Sequence, residues 1–249
     1  MNGTKTFLLL LGIGISFCAC NDPAWKSDRE LMMIKGNVTK MTENQYIMGN
    51  NPDSANFIAT EIHSFNDDGN ITRYFLTNYQ IQKDMTVNYE YDGMRKLRGN
   101  ISQTNPVASF SKVYEYPSDL NGYVLKNFKE DTVLSSISEF VLDEAGYTLE
   151  ERAKNPKGKK KYVIFNMWEN GNLVSKSVFD QDSTLIETTE ISYEGNLQKS
   201  KKITDYRNNR THEESYNHVA DQNGNWTRET TIFNGKPVLI RTREFVYSN

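Results

Sequence analysis

Along most of this chain apolar and polar residues alternate singly, the period of a strand with one face turned away from water. Val87-Asn88-Tyr89-Glu90-Tyr91 and Ile191-Ser192-Tyr193 show the pattern directly. Val113-Tyr114-Glu115-Tyr116, Phe140-Val141-Leu142, Ile71-Thr72-Arg73-Tyr74-Phe75, Tyr123-Val124-Leu125 and Leu173-Val174-Ser175-Lys176 are built from the same β-forming residues. Between the runs stand Gly69, Gly93, Gly122, Gly146, Gly171, Gly195 and Gly224, at intervals of 24, 29, 24, 25, 24 and 29 residues. Most have Asn, Asp or Glu beside them, as in Asp68-Gly69-Asn70, Asn170-Gly171-Asn172 and Asn223-Gly224-Asn225. Such pairs supply the positive φ that tight hairpin turns need. A period of about 25 residues holds two strands, a tight turn and a looser return, which makes each unit one β-hairpin.

A β-rich chain scatters glycine into turns at about this density in any case. Four intervals within one residue of each other, and two longer ones of equal length, argue for a repeat. The pattern therefore predicts an all-β fold, an antiparallel β-hairpin repeat sheet forming a curled or open meander over residues 30–249. The segment from Asp28 to Ile34 is the longest helical competitor. Lys154 to Lys161, broken by Pro156 and Gly158, predicts a solvated loop that blunts strand pairing.

The first twenty residues follow a different rule. Lys5 precedes an apolar run, Phe7 to Ile15, that is too short to span a bilayer and predicts an export signal. Phe17-Cys18-Ala19-Cys20 resembles a lipobox, which implies cleavage before Cys20 and lipid on its sulfur. The chain divides accordingly into a signal peptide at 1–19, a lipidated tether at 20–29 and the repeat domain at 30–249. Cys18 and Cys20 are the only two cysteines, so no disulfide braces the body although an exported protein would allow one. Two or three acyl tails would hold that body firmly to a membrane. The expected location is the cell envelope at the outer membrane, on either its periplasmic or its surface side.

Charge and chemistry narrow the function by exclusion. With 29 Lys and Arg against 32 Asp and Glu the chain has no basic excess for nucleic acid. His63, His212 and His218 form no metal-ligand spacing, and phosphate loops, dinucleotide fingerprints and nucleophile elbows are absent. No cofactor, metal or catalytic residue is expected. The carboxylate doublets Asp67-Asp68, Glu150-Glu151 and Glu213-Glu214 split across the two faces of a strand and read as solvated edges and turns. Tyr89 with Tyr91, and Tyr114 with Tyr116, share faces; Ile164 and Trp168 oppose Val163, Phe165 and Met167. Such stripes are strand-forming and cross-strand packing residues, and also rigid surfaces for stacking on sugars or peptides. Trp226 reads as a plug closing the sheet.

Tyr89-Glu90-Tyr91-Asp92-Gly93, Asp221 to Arg228 and Arg243-Glu244-Phe245-Val246-Tyr247 resemble degenerate tyrosine-aspartate repeats of the RHS type. Glu30 to Glu43 is similar to the first strand of repeat-bearing bacterial envelope lipoproteins. The resemblance implies hairpins that extend one continuous sheet. Asp53-Ser54-Ala55, Asp131-Thr132-Val133 and Asp182-Ser183-Thr184 are similar to the O-glycosylation acceptors of the same group, which implies Ser54, Thr132 and Ser183 as candidates. The expectation is a non-enzymatic envelope lipoprotein, a scaffold whose sheet face binds a polysaccharide or a partner protein. A periplasmic carrier of an apolar ligand is the alternative, and a glycoside hydrolase a more distant one. The concave face discriminates: continuous apolar residues favour the carrier, tyrosines interleaved with polar groups the polymer binder, and two carboxylates about 5–9 Å apart the hydrolase.

Overall fold

A computed structural model describes residues 24–49, 55–130 and 132–248. Among them are one helical turn, α1 (Asp28–Leu31), and sixteen strands. These are β1 (Val38–Met48), β2 (Ala55–Phe65), β3 (Ile71–Asn78), β4 (Lys83–Asp92), β5 (Arg95–Gln103), β6 (Ala108–Glu115), β7 (Gly122–Lys129) and β8 (Val133–Leu142), then β9 (Thr148–Lys154), β10 (Lys160–Glu169), β11 (Asn172–Asp180), β12 (Leu185–Glu194), β13 (Leu197–Asp205), β14 (Arg210–Ala220), β15 (Trp226–Phe233) and β16 (Lys236–Tyr247). Every strand pairs antiparallel with its neighbours in sequence.

The sheet is closed, which corrects the open or curled meander expected from the sequence. β1 pairs with β2 on one side and with β16 on the other, from Val38↔Tyr247 to Ile47↔Leu239, so the meander ends where it began. Register shifts interrupt most ladders close to a strand end, as between Ser64 and Phe65, Glu90 and Tyr91, Val141 and Leu142, and Ser192 and Tyr193. Each such bulge bends its strand and increases local twist, and the accumulated curvature brings the last strand round to the first.

Closure gives the alternation two distinct destinations. The inward set includes Met41, Glu43, His63, Tyr74, Val87, Tyr89, Tyr114, Leu125, Ile164, Tyr216, His218, Arg241 and Arg243, which stand opposite one another through the registers. The outward set carries Lys40, Arg73, Glu90, Arg98, Glu115, Lys126, Glu139, Arg152, Glu190, Lys202, Glu213, Arg228 and Glu244. Several outward charges pair across strands, Lys126 with Glu115 at 2.6 Å and Lys154 with Glu139 among them. A strand that faces lipid shows an apolar band, and Lys or Arg at its midplane costs about 2–4 kcal/mol. The outer face here mixes such charges with exposed apolar residues, Phe165, Met167, Val219 and Val246 among them.

The turns after the even-numbered strands lie together at one end, which holds all seven ladder glycines. Gly69, Gly93, Gly146, Gly171, Gly195 and Gly224 have φ between 55° and 87°, whereas Gly122 opens β7. The N-terminal segment runs across this glycine end. The Ala24 amide donates to the Glu144 carbonyl at 3.2 Å, the Arg29 amide to the Gly69 carbonyl at 3.0 Å, and the Lys35 amide to Asn225 Oδ1 at 2.7 Å. Ser27 caps α1 and Glu30 reaches back to the Ser27 amide at 2.8 Å, a capping box that holds a helix too short to persist alone. Beneath α1 sits the main apolar cluster of Ile34, Val38, Met41 and Phe65. Met41 and Val38 are fully buried, each contributing about 1.5–3 kcal/mol.

Candidate binding site

The glycine end is braced by a series of residues at 65, 91, 116, 142, 168, 193, 220 and 247, one per hairpin, at or just beyond the ends of the even strands. Where the residue can donate, it reaches back to the preceding hairpin. Tyr116 donates to the Lys96 carbonyl at 2.8 Å, Trp168 to that of Thr148 at 2.8 Å, and Tyr193 to that of Leu173 at 3.1 Å. Tyr247 donates to Asp221 at 2.6 Å. The Tyr91 hydroxyl lies 2.8 Å from both the Ile71 carbonyl and Asp28 Oδ2, and its single proton serves one of them at a time. Asp28, from α1, also accepts from the Ile71 amide at 2.8 Å and from Lys96 Nζ at 2.6 Å. The tyrosine of the Tyr-x-Tyr-Asp stretch thus ties neighbouring hairpins to each other and to the N-terminal segment.

Two cavities lie inside the barrel beneath this segment. The first, of about 210 Å³, is lined by Met32, Ile34, Tyr193, Trp226, His218, Glu229, Arg241, Arg243 and Phe245. Its charges answer one another. Arg241 pairs with Glu229, Arg243 Nε lies 2.8 Å from Glu43, and His218 Nε2 lies 3.0 Å from Glu229. The Arg243 guanidinium stacks 3.6 Å from the centre of the Trp226 ring. Burial pulls the Arg243 pKa below its usual value against the opposing pull of Glu43. Burial acts the same way on Arg241, but Glu229 outweighs it and the net shift is upward. Trp226 is therefore a wall of this cavity with an arginine over its face, rather than a plug in the sheet.

The second cavity, of about 150 Å³, is lined by Trp25, Lys26, Asp28, Tyr91, Tyr114, Tyr116, Tyr123, Leu125, Leu142 and their neighbours. Trp25 meets Tyr116 edge-on at 5.0 Å and lies 6.4 Å from Tyr123, whose other side stacks on Phe140 at 4.6 Å. Burial pushes the Tyr116 pKa up to about 12, partly offset by Arg95, and raises Tyr91, Tyr114 and Tyr123 further. All four are neutral hydroxyls at physiological pH. Here the polar groups are not all answered. Trp25 Nε1 is buried without a hydrogen-bond partner, and the half-buried Tyr114 and Tyr123 have hydroxyls engaged by no other described residue. An unpaired buried donor costs about 1–3 kcal/mol, which sets this cavity apart from its self-satisfied neighbour.

The residues singled out from sequence fall in several places. The ladder glycines frame the end that holds both cavities. Thr132 and Ser183 are exposed on turns of the opposite, far end. Cys20 and Ser54 lie outside the described residues, as does the signal segment. Ala24 to Arg29, the described part of the expected tether, is packed chain. The three histidines are kept apart, each beside its own glutamate: His63 with Glu61, His212 with Glu214, His218 with Glu229. No group of metal-ligating residues is present among the described residues. Asp67-Asp68 lies exposed in the turn between β2 and β3, as expected, and the other two doublets split across the sheet, but Glu151 and Glu214 face the lumen and bond to Tyr162 and Tyr216, so they are not solvated edges. Sequence reasoning missed Trp25, Asp28 and Lys96. The brace positions, spaced 25 to 27 residues apart and more evenly than the glycines, were the signal that marks this end.

No protein-family model matches the chain, and no curated protein matches it. Among solved structures, a porin-like protein from Bacteroides uniformis ATCC 8492 is similar at 12% identity, covering 85% of this chain and 98% of that one, with a TM-score of 0.40. A porin-like protein from Bacteroides vulgatus ATCC 8482 is similar at 12% identity over 86% of this chain and 99% of that one, with a TM-score of 0.39.

Proposed function

We propose that this protein is a non-enzymatic binding protein of the cell envelope that takes its ligand into the glycine end of the barrel. The observation that carries the reading is a cavity walled by tyrosines and tryptophan, with the Tyr114 and Tyr123 hydroxyls engaged by no other described residue, inside a closed barrel. The binding face expected from sequence becomes the inner face of a closed sheet. That face interleaves tyrosines with Glu, His, Arg and Lys, which supports a polar ligand over the apolar cargo of a carrier. Of the lumenal carboxylates, Glu43 and Glu229 are engaged by arginines, and Glu61, which meets Glu43 at the Gln45 amide, has His63 beside it, which supports structural pairing over a hydrolase pair. Lipid on Cys20, attachment to the outer membrane, O-glycosylation at Ser54, Thr132 and Ser183, and a polysaccharide or envelope protein as the source of the ligand belong to the same proposal.

The test is to incubate the purified chain with an extract of the envelope and to identify retained molecules by native mass spectrometry. A ligand retained by the wild type and by the outward-facing variant Thr86→Ala, but lost from the lumenal variant Leu125→Trp, is the expected outcome. Retention that depends on Thr86 and is indifferent to Leu125 would move binding to the outer surface and end this reading.

A further inference from the structure

We infer that the tyrosine cavity is a subsite for a single uncharged sugar ring, an inference that rests on the lumenal binding proposed above and names its ligand class. Size comes first. A cavity of about 150 Å³ is the volume that accepts one six-membered ring, as an engineered apolar cavity of that size accepts benzene. The lining then decides which kind of ring. A dry hydrocarbon pocket carries no hydroxyls, whereas this one is lined by the half-buried Tyr114 and Tyr123, whose hydroxyls are engaged by no other described residue. A ring that fills the space and carries acceptors around its edge satisfies them, and sugar hydroxyls are acceptors and donors at once.

The walls complete the match. A pyranose presents C–H groups on its two faces and hydroxyls on its rim, and Trp25, Tyr116 and Tyr123 meet at angles to one another, with the Arg95 guanidinium over Trp25 and Tyr116 and the Tyr123 ring left to stack on the ligand. The cavity also holds no uncompensated carboxylate for a cationic ligand, because Asp28 is taken up by Lys96, Tyr91 and the Ile71 amide. Lys26 lies over the Tyr147 ring at 4.6 Å, directed to a partner of its own. A neutral polyol needs no counter-charge and incurs no penalty for burying one.

The inference separates two effects, stability and binding. Tyr114→Phe and Tyr123→Phe each delete a hydroxyl that is engaged by no other described residue, so stability to urea stays nearly level. The same substitutions weaken sugar binding, by about tenfold for one hydrogen bond. The experiment titrates the full chain and both variants, with the far-end variant Tyr206→Phe as control, against glucose, galactose, mannose and N-acetylglucosamine, and against glucuronic acid and phenol. Calorimetry and tryptophan fluorescence are the readouts. Binding of at least one neutral sugar, weakened in both cavity variants and unchanged in the control, is expected. No binding by any of the four neutral sugars, tighter binding of glucuronic acid, or sugar affinity unchanged in both cavity variants would each overturn the sugar assignment. Phenol binding sensitive to Tyr114→Phe without sugar binding would overturn the sugar assignment while leaving lumenal binding in place. An envelope ligand retained regardless of Leu125 would instead remove the lumenal reading itself.

Discussion

The two ends of the barrel solve the same problem, turning a strand back on itself, with different residues. At the glycine end other parts of the chain lean on five of the seven ladder glycines. Arg29 lies over Gly69, the Ala24 carbonyl over Gly146, Tyr147 over Gly171 and Lys35 over Gly224, while the Phe140 carbonyl lies where a Cβ of Gly122 would go. At the far end nothing stands within 4 Å of that place at Gly158 or Gly235. Five other far-end turns hold positive φ with Gln82, Asn105, Glu130, Ser183 and Asn209. Positive φ alone therefore does not demand glycine in this protein. Glycine becomes necessary where a turn is also a docking surface, as at Gly69 and Gly146, whereas Gly93 and Gly195 at the same end have the open space of Gly158 and Gly235.

The sharpest way to break this comparison uses two glycines with nearly equal backbone angles, Gly146 at φ 85° and Gly158 at φ 79°. Gly158→Val carries only backbone strain, about 1–2 kcal/mol. Gly146→Val adds a collision with the Ala24 carbonyl, 1.9 Å from the new Cβ, and loses about 1–3 kcal/mol more. Urea midpoints at unchanged slope measure the difference, and equal losses would mean that the N-terminal segment does not bear on the turn.

A smaller effect sharpens the role of the brace. Tyr91→Phe removes the hydroxyl shared by Asp28 and the Ile71 carbonyl and is expected to cost about 1–2 kcal/mol. Tyr206→Phe, at an exposed far-end turn, stays within about 0.5 kcal/mol. Thermal unfolding of the two variants side by side decides it, and matching values would reduce the brace to a packing role.

The smallest expected effect is a dependence on acid. A hydrogen bond from His63 holds Glu61 below its usual 4.5. Burial works against Glu214, but hydrogen bonds from Tyr216 and His212 outweigh it and hold that residue below 4.5 as well. The folded protein then binds fewer protons than the unfolded chain near that pH. Stability is full above about pH 4.5 and falls as the pH drops through the folded values. Urea midpoints between about pH 6 and pH 3 follow it, with Glu61→Gln expected to flatten the decline and an unchanged decline in that variant counting against the assignment.

Much of the fold was legible because hairpins are local. Asn170-Gly171 announces its turn, and Val87 to Tyr91 its strand, from neighbours a few residues away. Closure was not legible, because it depends on curvature accumulated through bulges such as the one between Glu90 and Tyr91, which have no residue signature of their own. The candidate site was half visible. Tyr91, Tyr114 and Tyr116 stood out as stripes, but strand periodicity assigns them to a face without saying whether that face is inside a tube. Trp25 and Asp28 were hidden for a different reason: a short polar segment carries no period, and its place is set by partners at Gly69, Ile71 and Glu144, far along the chain.

The seam between the first and last strands carries a consequence for how this molecule is made. Each interior hairpin finds its partner within about thirty residues, yet Glu43 meets Arg243 across a separation of 200 residues. Until β16 has been synthesised and delivered, β1 has a free edge, open to pairing with other chains. Formation of this protein should therefore be gated by one long-range event at the end of an otherwise local process, slow by the measure of contact order. Until the ring shuts, the lumen that forms the site does not exist.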